Sequence, residues 1–121
     1  MAKRVLVEHR LVFSRRVTEK ALNELGYEVT QQETTDWKDT VRLYEELRPE
    51  VVLVDGVTGP EIARELLKRH PEAAVIGCGV EITCDKTYQE RLLAAGAKTF
   101  VKAMSDHAVF LDYLKKALNA V

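Results

Sequence analysis

The chain has 121 residues, of which 46% are hydrophobic, and its 18 basic and 19 acidic residues leave a formal net charge of -1. This length accommodates one hydrophobic core and no second one, so we expect a single domain over residues 1–121. The near balance of charge excludes a strong electrostatic attraction to nucleic acid or to an anionic membrane.

Five short apolar runs alternate with five amphipathic segments, a pattern that indicates a repeated βα unit. In chain order, the predicted strands are residues 4–7, 28–32, 51–54, 74–78 and 99–102, the second of which is polar enough for an edge strand. The predicted helices begin or end at capping or helix-breaking residues. Helix 1 ends at Gly26, helix 2 runs from near Asp36 to before Pro49, and helix 3 runs from Pro60 to about residue 69. Helix 4 runs from after Asp85 to Gly96, and helix 5 is capped by Ser105 or Asp106.

The connections between these elements are short, which suits a layered domain with right-handed crossovers. Such crossovers make a parallel sheet with helices on both faces. We therefore predict an α/β protein, a single flavodoxin-like domain with three α/β/α layers and a five-stranded parallel sheet in the order 2-1-3-4-5.

The predicted strand order brings the C-terminal ends of strands 1, 3, 4 and 5 around one crevice, where open α/β sheets bind ligands. The residues at these ends are Glu8, His9, Arg10, Asp55, Gly56, Cys78, Gly79 and Lys102. Asp55 directly follows the all-apolar central strand, which makes it the first candidate functional residue. A turn carboxylate that accepts hydrogen bonds from backbone N–H groups is the alternative interpretation of Asp55.

Residues 48–55, RPEVVLVD, resemble the strand that ends in the phosphoacceptor aspartate of response-regulator receiver domains. The end of the first helix at Leu25-Gly26, the run Glu65-Leu66-Leu67, and residues 96–102 resemble further motifs of that family. The resemblance covers nearly the whole chain and implies a CheY-like domain. It implies that Asp55 is the candidate phosphoacceptor, with a histidine kinase as the donor of the phosphoryl group. It also implies that Lys102 and Gly79 occupy positions that contact the phosphoryl group.

The chain departs from the family around this aspartate. Counted back from the end of helix 1, the metal-binding acidic pair of the family falls on His9 and Arg10, with Glu8 one residue early. The phosphoryl-binding Thr or Ser falls on Gly79. Because Mg²⁺ prefers oxygen ligands, we expect neither a metal nor a cofactor, and Asp55 and Glu8 would be ligands only if Mg²⁺ binds. We hypothesise that the guanidinium of Arg10 pairs with Asp55 and replaces the charge of the metal.

The sequence thus predicts an atypical receiver with a degenerate phosphorylation site, a signalling module that binds a protein partner and is not an enzyme. One alternative is a working phosphoacceptor, and another is a small-molecule binder such as a flavin or cobalamin domain, although the loops typical of both are missing. The surface of helix 4, strand 5 and helix 5 is the predicted contact for a partner or a homodimer, with Tyr88, Arg91, Lys98, Phe100, Phe110, Tyr113 and Leu114.

The two cysteines, Cys78 and Cys84, have several possible roles. Cys78 and Cys84 lack the spacing of a metal motif, so a metal site that joins them to His9 or Glu8 is only an alternative to free thiols. Cys78 could be a reactive thiol or a small buried hydrophobic residue.

The chain begins with a strand-like run and has no apolar segment of membrane-spanning length, so we expect a cytoplasmic protein.

Overall fold

The computed structural model describes residues 3–8, 12–55, 58–80, 86–103 and 106–121, without the side chains of residues 12–15, 80 and 103. Strands and helices alternate along these ranges: β1 Lys3–Glu8, α1 Val12–Glu24, β2 Tyr27–Gln32, α2 Trp37–Leu47, β3 Val51–Val54, α3 Gly59–Arg69, β4 Val75–Val80, α4 Lys86–Ala94, β5 Thr99–Ala103 and α5 His107–Asn119. None of the helices in these ranges combines the length and the apolar character that a bilayer span requires.

The five strands form one sheet in the order β2-β1-β3-β4-β5, and each pair of neighbours is parallel. This arrangement confirms the predicted fold class and strand order. It also confirms that β2 is an edge strand, and it places β5 at the opposite edge of the sheet.

Both faces of the sheet are covered, because alternate residues of each central strand point to opposite sides. In β3, Val51 and Leu53 join the core beneath α1 and α5, whereas Val52 and Val54 join the core beneath α2, α3 and α4. All four β3 side chains are at most 2% exposed. Burial of each such side chain contributes about 1.5–3 kcal/mol, so β3 is the central support of the domain.

The helix ends follow local chemistry that the sequence predicted. Gly26 and Gly96 adopt positive φ angles of 90° and 109°, the left-handed conformation that favours glycine after a helix. Asp36 caps α2 by accepting the N–H of Lys38, and Asp106 caps α5 by accepting the N–H of Val109 at 3.2 Å. These caps are confirmed, whereas Asp85 and Ser105 lie outside the described residues.

Two sequence predictions need correction. Strand β4 was expected to end at residue 78, but it extends to Val80. Gly79 therefore lies within the strand, where it pairs with Lys102 of β5. Phe110 and Leu114 are 0% exposed and belong to the core beneath α5, so they cannot form a homodimer contact. On the last helix, the outward-facing aromatic is Tyr113, which is 45% exposed.

Candidate functional site

The side chain of Glu8 meets the backbone of Asp55 where β1 and β3 end. Glu8 is the last residue of β1 and pairs in register with Val54, and Asp55 follows Val54 directly. Glu8 is 1% exposed and Asp55 is 4% exposed. The backbone N–H of Asp55 donates a hydrogen bond to Oε2 of Glu8 at 3.2 Å. The side chain of Glu8 therefore anchors the end of β3, in addition to the ladder between the two strands.

The neighbouring strand carries Gln32 beside Glu8, and Gln32 forms a buried polar pair with Thr40 of α2. Gln32 is the register partner of Glu8 in β2 and is 2% exposed. Its Oε1 accepts a hydrogen bond from Oγ1 of Thr40 at 2.6 Å, and its Nε2 donates to the backbone carbonyls of Thr34 and Asp36 at 2.9 and 3.2 Å. Gln32 was not among the predicted site residues, because its burial depends on α2 lying over it and no local pattern of the sequence marks it.

The two predicted phosphoryl-contact positions are neighbours in the sheet. Gly79 of β4 pairs in register with Lys102 of β5. Gly79 is buried and Lys102 is partly buried. Because Gly79 has no side chain, only its backbone could contact a phosphoryl group. Cys78, the residue before it, is 0% exposed in the core beneath α5, as the small buried hydrophobic interpretation requires.

Several predicted residues cannot be placed. His9, Arg10, Gly56 and Cys84 lie outside the described residues, and so does the hypothetical ion pair between Arg10 and Asp55. Within the described ranges, no three His, Cys, Asp or Glu side chains converge as they would around a metal ion.

The two residues that follow β1 in the sequence have side chains that suit Mg²⁺ poorly. Mg²⁺ takes hard oxygen ligands in octahedral geometry. The side chains of His9 and Arg10 offer nitrogen atoms where the family has its acidic pair, and Oε2 of Glu8 already accepts the N–H of Asp55.

Two ionisable groups away from these strand ends have shifted pKa values. Burial raises the pKa of Tyr27 at the start of β2, and the negative charge of Glu50 raises it further. For Glu65 on α3, desolvation acts to raise the pKa and the ammonium of Lys68 acts to lower it, with a net lowering. Both shifts belong to surface structure and not to the candidate site.

A cleft of about 430 Å³ runs along the edge of the sheet between α4 and α5. Its lining residues are Gln89, Thr99, Phe100, Val101, Lys102, Tyr113, Lys116, Ala117 and Ala120. Two residues of the predicted contact surface are not among these lining residues. Tyr88 packs edge-to-face on Phe100, with ring centroids 6.0 Å apart, and Arg91 lines a separate groove towards α3.

Comparisons with known proteins give similarities along nearly the whole chain. No protein-family model matches. The chemotaxis protein CheY of Thermotoga maritima is 32% identical over 106 residues, which cover 84% of this chain and 85% of that protein. A LuxR-family two-component response regulator from Aurantimonas has a TM-score of 0.80 at 21% identity, covering 98% of this chain and 86% of its own. A response regulator from Thermotoga maritima has a TM-score of 0.80 at 17% identity, with 98% and 99% of the two chains covered.

Proposed function

The chain belongs to the receiver domains of two-component response regulators, and on that premise we propose that it is an atypical receiver. It signals by binding a protein partner and does not depend on a Mg²⁺-assisted aspartyl phosphate. Receiver domains are signalling modules, and residues 1–121 would form one such module.

The observation that carries the proposal is the hydrogen bond between the N–H of Asp55 and Oε2 of Glu8. Through this hydrogen bond, the buried side chain of Glu8 at the end of β1 supports the end of β3. The next two residues along the chain are His9 and Arg10, which cannot supply carboxylate ligands. Gly79 supplies no hydroxyl group at the position where the family holds the phosphoryl group.

Phosphoryl transfer to an aspartate depends on neutralisation of the negative charges that come together. Without a divalent ion, the approach of a phosphoryl group to Asp55 and Glu8 is opposed by like charge. A guanidinium from Arg10 would neutralise Asp55 permanently and hold one conformation. Because Asp55 is only 4% exposed, the guanidinium would offset the cost of burying the carboxylate, and its main effect would be to fix the conformation.

The direct test is intact-mass spectrometry after incubation with acetyl phosphate and Mg²⁺. We expect no gain of a phosphoryl group, and the variant Asp55→Asn controls for modification at other residues. A phosphoryl group on Asp55 of the natural sequence would overturn the proposal. A second experiment restores the acidic pair with His9→Asp and Arg10→Asp together, and we expect Mg²⁺-dependent modification to appear in that variant only.

The second candidate function is a working phosphoacceptor. The observation that favours it is the position of Asp55 directly after the C-terminal end of the central strand, with its backbone N–H bonded to the carboxyl group of Glu8. In this case a histidine kinase would be the phosphoryl donor. Binding of Mg²⁺ with beryllofluoride, followed by ¹⁵N chemical shifts at Asp55 and Glu8, separates the two candidates, because only a working acceptor responds.

A further inference from the structure

A pocket of about 330 Å³ lies at the end of the sheet where β1 and β2 begin. Its walls are formed by Lys3, by residues 25–27, and by Lys115, Leu118 and Asn119 near the end of α5. We propose that this pocket binds a small organic acid, in which a carboxylate group is attached to an apolar ring. The inference goes beyond the proposed function and does not depend on it.

The pocket is remote from the candidate phosphoacceptor. Lys3 is the first residue of β1, and Glu8, which contacts the backbone of Asp55, is the last. A strand of six residues spans roughly 17 Å at the usual rise per residue. Among the described residues, the lining includes none from α4 or β5. A ligand in this pocket would therefore occupy a second site, at the opposite end of β1 from Asp55.

The pocket has an apolar floor at the edge of the core beneath α1 and α5. Leu118 is 7% exposed and belongs to that core, and Leu25 and Tyr27 pack against it while partly buried. Lys3 and Tyr27 are register partners on neighbouring strands, so their side chains point to the same face of the sheet. An apolar ring that covered Leu25, Tyr27 and Leu118 would be favoured by the burial of these surfaces.

The lining carries positive charge that no carboxylate of the pocket neutralises. Lys3 and Lys115 are its two charged residues, and within the described ranges neither forms a salt bridge. The ammonium of Lys3 lies 6.0 Å from the centre of the Tyr27 ring. The two ammonium groups therefore favour an anion at this end of the sheet.

The carboxylates of neighbouring residues are directed elsewhere. Glu50 accepts the backbone N–H of Arg4 at 2.8 Å, and Glu24 is 2.8 Å from Nε2 of His107. Glu28 follows Tyr27 in β2, so its side chain points to the opposite face of the sheet. An incoming carboxylate would thus meet the two lysines without competition from these side chains.

The size of the pocket selects the class of ligand. Its volume of about 330 Å³ is at the lower end of the range of about 300–1,000 Å³ that small-molecule sites occupy. This volume suits one ring with an acidic substituent. A carboxylate has two oxygen atoms, so a single group can accept hydrogen bonds from both ammonium groups.

The experiment titrates the full chain with phenylacetate and follows the ¹⁵N chemical shifts. We expect saturable shifts at residues 25–27 and 118–119, with a dissociation constant of about 1 mM for a ligand of this size. Two further probes separate the contributions, because phenylacetamide has the ring without the charge and acetate has the charge without the ring. We expect each of them to bind at least about fivefold more weakly than phenylacetate.

Lys115→Gln and Lys116→Gln form a matched pair of variants at adjacent, exposed positions of α5, of which only Lys115 lines this pocket. We expect Lys115→Gln and Lys3→Gln each to weaken phenylacetate binding about threefold, and Lys116→Gln to change it little. Shifts centred on another surface, equal affinities for the three probes, equal effects of the matched variants, or no saturation below about 20 mM phenylacetate would each overturn the proposal. The titration contains no phosphoryl donor, so its outcome is independent of the test at Asp55.

Discussion

Thr40→Val tests the buried polar pair beside the candidate site. Thr40 is 0% exposed, and its Oγ1 donates to Oε1 of Gln32 at 2.6 Å. Both N–H groups of the Gln32 amide are already used by carbonyl oxygens, so the amide cannot rotate to obtain a different donor for Oε1. Valine has nearly the same shape as threonine but donates no hydrogen bond. The substitution therefore leaves a buried acceptor unsatisfied, which costs about 1–3 kcal/mol.

A double-mutant cycle with Gln32→Leu isolates this interaction. In the Gln32→Leu background the acceptor is gone, so Thr40→Val should be nearly neutral there, and the coupling energy should be about 1–2 kcal/mol. Urea unfolding followed by circular dichroism measures the four free energies of unfolding. In thermal unfolding, a loss of 1 kcal/mol corresponds to about 4 °C for a domain of this size. Equal losses for Thr40→Val in both backgrounds would refute the reasoning.

Three further predictions concern residues of α4, β4 and α3. Leu92→Ala should destabilise the protein by about 3 kcal/mol, because Leu92 is the buried residue of α4, whereas Leu93→Ala should change the free energy of unfolding by less than about 0.5 kcal/mol; similar losses in urea unfolding would contradict this. Gly77→Ala should cost about 1–3 kcal/mol in the same assay, since its new methyl group would lie 2.5 Å from Cδ1 of Leu92, and an unchanged unfolding midpoint would contradict the close packing. Glu65→Gln should reduce stability near pH 7 but not at about pH 3. The pKa of Glu65 is lowered in the folded protein, where Lys68 is a neighbouring cation, so the ionised carboxylate stabilises the fold above the unfolded-state pKa of about 4.3. This stabilisation is lost as the pH falls through the folded-state pKa. A difference between the two proteins that persists at about pH 3 would be inconsistent with this sign.

The sequence by itself was sufficient for the order of the elements, the parallel sheet and the helix ends. These features depend on local patterns, such as the apolar run before Asp55 and the glycines at positions 26 and 96, which act within a few residues. The strand order followed because few topologies satisfy short right-handed crossovers. The same reasoning placed Asp55 and Glu8 at adjacent strand ends, where the structure has them.

Only the tertiary structure decided what each of these side chains contacts. Glu8 and Asp55 are 47 residues apart, and their hydrogen bond depends on the register between β1 and β3, which no local pattern encodes. Gln32 looks like a solvent-exposed edge residue in the sequence, yet it is buried because α2 returns over its face and supplies Thr40 as a donor. Burial of a polar side chain is a property of its neighbours in space, and it is these neighbours that turn a candidate acid into a support for the strand beside it.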